Sequence, residues 1–197
     1  MIFQIEKFVE EKLKNHPDRL LHTKGVVEMA LYLNDLYDLK INKEKIILSG
    51  LLHDAWKYLS YEESKELLLK HESKNMWNKI KNIPSIWHGY VGAILLPIEL
   101  NITDKEIISA IKYHSTGKVR MTNLQKIIFI SDYIEKNRIG EVFEKARNEV
   151  YQNLDKGLVY ILKSTYNYLT SKNYEVYPDT LKIIKYYEGE KEWVKIP

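Results

Sequence analysis

Apolar residues recur along most of the chain at three- and four-residue intervals, the spacing of one buried face of an α-helix. Ile2, Ile5, Phe8, Val9 and Leu13 mark a first helix, and Pro17 ends that segment. Pro17-Asp18 is the start signal of a second, from Asp18 to Leu36. A third follows an Asn42 cap, with Ile46, Ile47, Leu51, Leu52 and Ala55 on its apolar side. Ser60-x-x-Glu63 is a capping box for a fourth. Further helices are predicted over Ile83 to about Glu99 with an interruption near Pro97, from Thr103-x-x-Glu106, and from Thr122-x-x-Gln125 through Glu135. A long one is predicted from about Glu144 to Lys172, and a last one after Pro178. Tyr174 to Tyr177 and Trp193 to Ile196 are the only extended candidates, and both are weak. The pattern predicts an all-α, single-domain protein over 1–197, with short helices joined by short loops.

Composition narrows the function more than the fold. Lys plus Arg is 30 and Asp plus Glu is 27, a net charge of +3 that is no nucleic-acid footprint, so no DNA partner is expected. The N-terminus lacks a basic region followed by an apolar run. The longest apolar stretches, around Ala93 to Ile98 and Ile127 to Ile130, are too short to span a bilayer. A cytoplasmic protein with no membrane partner is expected, and the many aromatics suit a homodimer surface. There are no cysteines, which excludes disulfides, a thiolate nucleophile and Cys-based metal sites. Any metal must be held by His, Asp and Glu.

The six histidines are therefore the residues to follow. His53-Asp54 comes directly after the apolar pair Leu51-Leu52 and is placed inside the third helix. Burying an unpaired carboxylate costs several kcal/mol, so Asp54 requires a metal or a cation. His22, His88, His114 and Asp132 lie on other helices, each a polar group in apolar surroundings. Imidazole and carboxylate without thiolate suit Fe, Mn or Zn. The alternative for each histidine is a core residue with satisfied hydrogen bonds, and for Asp132 a buried partner for an arginine. Gly25, Gly50, Gly92 and Ala110 each lie one turn from one of these histidines. They either leave room for a metal, its water and a substrate, or allow close helix packing. Lys57 shares the flank of His53 and Asp54, as a surface lysine or as a phosphate-binding cation. His16 and His71 sit in polar contexts and are given no role.

The set His…His-Asp…His…His…Asp on sequential helices resembles the HD-domain metal-dependent phosphohydrolases. The local strings are more specific. Arg19-x-x-His22-Thr23-x-Gly25-Val26, Leu52-His53-Asp54-x-x-Lys57, His88-Gly89-x-Val91-Gly92-Ala93, Ala110-Ile111-x-Tyr113-His114-Ser115-Thr116-Gly117 and Asp132-Tyr133-Ile134-Glu135-x-x-Arg138 resemble the bacterial YqeK-like family. Those are symmetrical bis(5'-nucleosyl)-tetraphosphatases, which hydrolyse diadenosine tetraphosphate to two ADP. The resemblance covers about 17–166, leaving 167–197 as a C-terminal helical extension. It departs from the family in Ser115, where Thr is usual, and in Lys136, which replaces Pro and is expected to loosen or recharge the loop before Arg138.

The resemblance implies an HD-domain fold and two metal ions, iron first, with Mn, Co or Zn as alternatives. His22, His53, Asp54 and Asp132 would bind one metal, and His88 and His114 the second, with Asp54 bridging. Such a pair generates hydroxide at neutral pH and clamps a phosphoryl oxygen. The expected step is attack of that hydroxide on an inner phosphorus of the tetraphosphate. Asp54, Lys57 and Arg138 are the expected catalytic residues. Lys57, Ser115, Thr116, the Gly117 backbone and Arg138 are expected to hold phosphate. Arg19 is less defined, with ordering of Asp132 or of a helix end as its alternative. Tyr113, Tyr133 and Trp87 neighbour the ligands and are candidates for the base, with core packing as the alternative. Two rival functions are an HD-type phosphatase or phosphodiesterase for another nucleotide, and a non-catalytic helical module binding RNA or protein. The segment from Lys182 to Lys195, rich in Lys and Tyr, is where the second rival would show.

Overall fold

The computed structural model describes residues 1–189, and among these every regular element is helical. In chain order they are α1 (Ile2–Lys12), α2 (Pro17–Leu36), α3 (Lys43–Leu52), α4 (Tyr61–His71), α5 (Lys74–Ile80) and, after a 3₁₀ turn at Pro84–Ile86, α6 (Trp87–Leu100). There follow α7 (Lys105–Tyr113), α8 (Asn123–Ile134), α9 (Glu141–Gln152), α10 (Leu154–Ser171) and α11 (Thr180–Tyr187). None of the described helices is by itself long and apolar enough to cross a membrane.

Local chemistry explains where the helices start. Asn42 Oδ1 accepts the Glu44 N–H at 2.8 Å and opens α3. Ser60 with Glu63 and Thr122 with Gln125 form complete capping boxes at α4 and α8, as their spacing predicts. Several boundaries differ from the sequence pattern. α3 ends at Leu52, so His53-Asp54 stands at its C-terminal end and not inside it. α7 is capped by Asp104 in place of Thr103, because the carboxylate takes the N–H groups of Glu106 at 2.8 Å and Ile107 at 3.2 Å. α6 runs through Pro97 and stops at Asn101, which takes the left-handed conformation with φ of 54°. α5 went unpredicted, since seven residues are too few for a period to register. Residues 174–177 form no strand, and Trp193 to Ile196 lies outside the described residues.

The long helix predicted over 144–172 is two helices. Asn153 leaves helical geometry (φ −160°, ψ 122°) and its side chain accepts the Lys156 N–H at 2.9 Å, capping α10. α10 then folds back on α9 so closely that a Cβ on Gly157 would lie 2.5 Å from the Val150 Cα. No Gly or Pro marks this break, so the periodicity reads straight across it.

The core is layered around α3, which packs on α2, α7 and α8, while α2 also packs on α8 and α6 on α7. Ile46, Leu52, Val91, Ile111, Ile127 and Ile130 are fully buried at these contacts. His53-Asp54 and His114 stand at the C-terminal ends of α3 and α7, His88 in the first turn of α6, His22 in the second turn of α2 and Asp132 in the last turn of α8. Gly157→Ala should destabilise the protein by about 1–3 kcal/mol, since the new methyl meets backbone that cannot yield. Urea unfolding measures this; an unchanged midpoint would mean that α9 and α10 are not held this close.

Candidate metal centre

Five helices deliver the six predicted ligands to one place. His22 comes from α2, His53 and Asp54 from the end of α3, His88 from the first turn of α6, His114 from the end of α7 and Asp132 from α8. They form two groups, His22–His53–Asp132 and Asp54–His88–His114, and within each the ligand atoms lie within 4.8 Å of one another. His22 Nε2 is 2.9 Å from Asp132 Oδ1, and His53 Nε2 is 3.9 Å from the same oxygen. Asp54 Oδ1 faces His88 Nε2 at 3.0 Å and His114 Nε2 at 3.7 Å. Its other oxygen, Oδ2, lies 3.4 Å from His53 Nε2. Asp54 thus touches both groups, one oxygen to each, which is the placement a shared ligand needs.

The imidazoles are oriented from behind. His53 and His114 are both C-cap residues, and each Nδ1–H donates at 2.7 Å to a carbonyl three residues back, Gly50 O and Ile111 O. Those carbonyls belong to the last turn, where helices leave acceptors unfilled. The bond fixes the tautomer and leaves Nε2 with its lone pair toward the cluster. His22 is held differently, with Nδ1 3.1 Å from Glu135 Oε1. Glu135 is 1% exposed, and its Oε2 accepts from the Asn137 N–H at 2.7 Å and the Asn137 amide at 2.8 Å.

The donor set fits a metal. With Nδ1 engaged by Glu135 and by Gly50 O, the Nε2 atoms of His22 and His53 are buried against carboxylate oxygens and make no hydrogen bond. Such atoms cost about 1–3 kcal/mol each unless something fills the position, and a cation between them and Asp132 would do so. The electrostatics agree. Burial pushes the Asp54 carboxyl up, but His53, His114 and His88 outweigh it and hold Asp54 well below the usual carboxylate range. Asp132 is likewise depressed: burial opposes, and His22 and His53 prevail. Burial takes His88 down to about 4, so at neutral pH it is uncharged. His53 goes the other way, since Asp54 and Asp132 outweigh its burial. Ionised carboxylates and a neutral His88 are the protonation states that metal binding requires, whereas His53, drawn towards its protonated form by the two carboxylates, must give up its Nε2 proton when a cation binds.

Cations surround the cluster. Arg19 Nη1 bonds Asp54 Oδ2 at 2.8 Å, so it orders Asp54 and not Asp132. Lys57 Nζ is 3.1 Å from Asp54 Oδ1 and 3.5 Å from His88 Nε2. Arg138 donates to the Asp132 carbonyl at 3.1 Å and to its Oδ1 at 3.2 Å. Ser115 Oγ lies 3.0 Å from His114 Nε2 and 3.3 Å from His88 Nε2. Thr116 and Gly117 are placed elsewhere. Both are buried, the Thr116 hydroxyl donates to Gly117 O, and the Gly117 N–H is taken by Tyr113 O at 2.8 Å. Tyr133 lines a cleft beside the cluster, whereas Trp87 is a core residue whose Nε1 donates to Ile80 O, and Tyr113 packs on Tyr90.

Three features are not evident in the sequence. Glu135 is one, although it follows Asp132 by only three residues. The second is the use of the small residues. A Cβ on Gly25 would sit 2.3 Å from Glu135 Oε2, and one on Gly50 would sit 2.7 Å from Val27 Cγ2. Gly25 therefore makes room for the carboxylate behind His22, and Gly50 for the packing of α2 on α3; neither opens a metal cavity. The third is Arg147 on α9, which donates to the carbonyls of Ile134 at 2.8 Å, Glu135 at 2.7 Å and Arg138 at 2.7 Å. It pins the loop that carries Arg138. Lys136 points outward and pairs with Glu28 at 2.6 Å on the surface.

A family model for the HD domain matches residues 19–137. The chain is similar to two proteins named "Bis(5'-nucleosyl)-tetraphosphatase, symmetrical". The one from Bacillus subtilis (strain 168) is 33% identical over 87% of this chain and 89% of its own. The one from Staphylococcus aureus (strain NCTC 8325 / PS 47) is 34% identical over 98% of each. In three dimensions it is similar to a predicted HD superfamily hydrolase involved in NAD metabolism from Clostridium acetobutylicum. That crystal structure superimposes with a TM-score of 0.88 at 27% identity, covering 97% of this chain and 98% of the other.

Glu135→Gln should lower metal affinity about 10–100-fold, the usual effect of losing the group behind a ligating histidine. Gly25→Ala should act in the same direction by displacing that carboxylate. Competition against a chelator of known affinity measures both; wild-type affinity in either variant would mean that the carboxylate does not hold His22.

Proposed function

The chain belongs to the HD domain family, and on that footing we propose that it hydrolyses diadenosine tetraphosphate and related dinucleoside polyphosphates symmetrically, giving two ADP. The observation that carries the reading is a cleft of about 720 Å³ beside the cluster. Its walls include His114, Ser115, Asp132 and Arg138 from the polar centre, the buried Phe129, the half-buried Tyr133 and Phe143, and the exposed Tyr168. Tyr133 and Phe143 form a tilted ring pair 5.2 Å apart. Such a cleft suits a nucleotide, with phosphates toward the cluster and the nucleoside among the rings. The name shared by the relatives supports the choice of substrate.

Two metal ions belong to this reading, iron being the one the family resemblance favours. His22, His53 and Asp132 would hold one, His88 and His114 the other, with Asp54 common to both. When bound, such a pair supplies a nucleophile from water at neutral pH and draws charge from the phosphoryl oxygens. The chain's own residues position and neutralise. Asp132 aims the planar guanidinium of Arg138, which suits two-pronged contact with phosphate. Lys57, anchored on Asp54, offsets charge on the departing ADP. Ser115 donates to a phosphate oxygen at the mouth of the cleft. Water adds to an inner phosphorus and the central P–O–P bond breaks, so that one ADP keeps the bridging oxygen and the other gains the oxygen of water.

Incubation with diadenosine tetraphosphate and chromatography of the products tests the reading. Two ADP per substrate are expected, with Fe, Mn or Co added. AMP plus ATP would contradict symmetrical cleavage, and no turnover with any of the three metals would contradict the activity. Arg138→Ala should lower kcat/KM on the order of 10²-fold; unaltered kinetics would remove Arg138 from the phosphate site.

A further inference from the structure

A symmetrical dinucleotide has two nucleosides, and the cleft described above takes one. A second cavity, of about 520 Å³, lies on the His22 side of the cluster. Its walls include Arg19, Leu21, Tyr58, Asn137, Arg138 and Ile139. Among the described residues, Arg138 is the one that lines both cavities. The first cavity reaches the cluster at His114 and the second at His22, so the two flank the metal groups with one guanidinium between them. We propose that this second cavity is the subsite for the other nucleoside, with its base laid on the ring of Tyr58. The proposal rests on the functional reading above and adds the half of the substrate that the first cleft leaves unplaced.

Three observations support it. The Tyr58 ring is 49% exposed yet not loose, because it stacks on His16 with centroids 3.4 Å apart and planes within 10°. One face is backed, which leaves the other as a fixed aromatic platform, and bases stack on such platforms whatever their identity. At the rim stand Leu21 and Ile139, the latter 88% exposed, apolar side chains that a nucleoside would cover. Between platform and cluster lies Arg19, which pairs with Asp54 and whose Nε is buried without a partner. A polyphosphate running from Arg138 past Arg19 would meet two guanidiniums, each paired with a carboxylate of the cluster, and would have to keep clear of Asp18 and Glu135, which line the same cavity. His16, given no role by its sequence context, serves here as the backing of Tyr58.

The test compares Tyr58→Ala with wild type on two ligands: KM for diadenosine tetraphosphate, and inhibition by adenosine 5'-tetraphosphate, which has the phosphates and only one nucleoside. KM for the dinucleotide should rise on the order of tenfold, while the inhibition constant of the mononucleotide changes less than about twofold. Tyr58→Phe keeps the ring and should restore the wild-type KM. Equal losses on both ligands, no loss on either, or a Phe variant as poor as the Ala variant would overturn the subsite. A wild-type protein that leaves the dinucleotide uncut would instead overturn the functional reading, and the subsite with it.

Discussion

The site depends on one buried carboxylate. Asp54 is 1% exposed, and it stays ionised because Arg19, Lys57, His53, His88 and His114 all reach it. These partners come from α2, the end of α3, the start of α6 and the end of α7. Each partner offsets part of the cost of that buried charge, so each of these segments is held to the register that keeps its contact. The charge fixes the helix ends, and the helix ends fix the histidines. His53 and His114 use the same device, a C-cap imidazole tied to the carbonyl three residues back. It satisfies an acceptor at the end of the helix and sets the tautomer with one bond.

A second layer supports Asp132 and the loop after α8. Glu135 holds His22 and is itself held by Asn137, while Arg147 gathers three carbonyls of the segment 134–138. Arg138 is therefore presented from a braced loop. That matters for the chemistry, because an arginine that neutralises a transition state contributes most when it needs no reorganisation. The same arginine stands between the two cavities, which ties the bracing by α9 to the handling of both halves of a dinucleotide.

Much of this was legible in the sequence, for identifiable reasons. The capping boxes at Ser60 and Thr122 and the cap at Asn42 are local chemistry, and local chemistry survives without a tertiary context. The six candidate ligand positions stood out as polar groups in apolar runs, which require partners, and the resemblance to the HD-domain phosphohydrolases made them a set. What was missed involves contacts between distant segments. The break at Asn153 is enforced by packing of α10 on α9 and leaves no trace in the periodicity. The purpose of Gly25 is visible only once Glu135, 110 positions later, is seen against it. Thr116 and Gly117 look like phosphate-binding residues next to His114, but the tight turn there turns them inward. Arg147 lies on a helix with no ligand, and nothing in its neighbours hints at the carbonyls it gathers.

The central claim is that Asp54 serves two metal ions at once. Elemental analysis of metal bound per chain, in wild type and in Asp54→Asn, tests it most directly. Two equivalents in the wild type and at most one in the variant, with the helical circular dichroism retained, is the result expected. Two equivalents retained in Asp54→Asn, or one or none in the metal-saturated wild type, would contradict it.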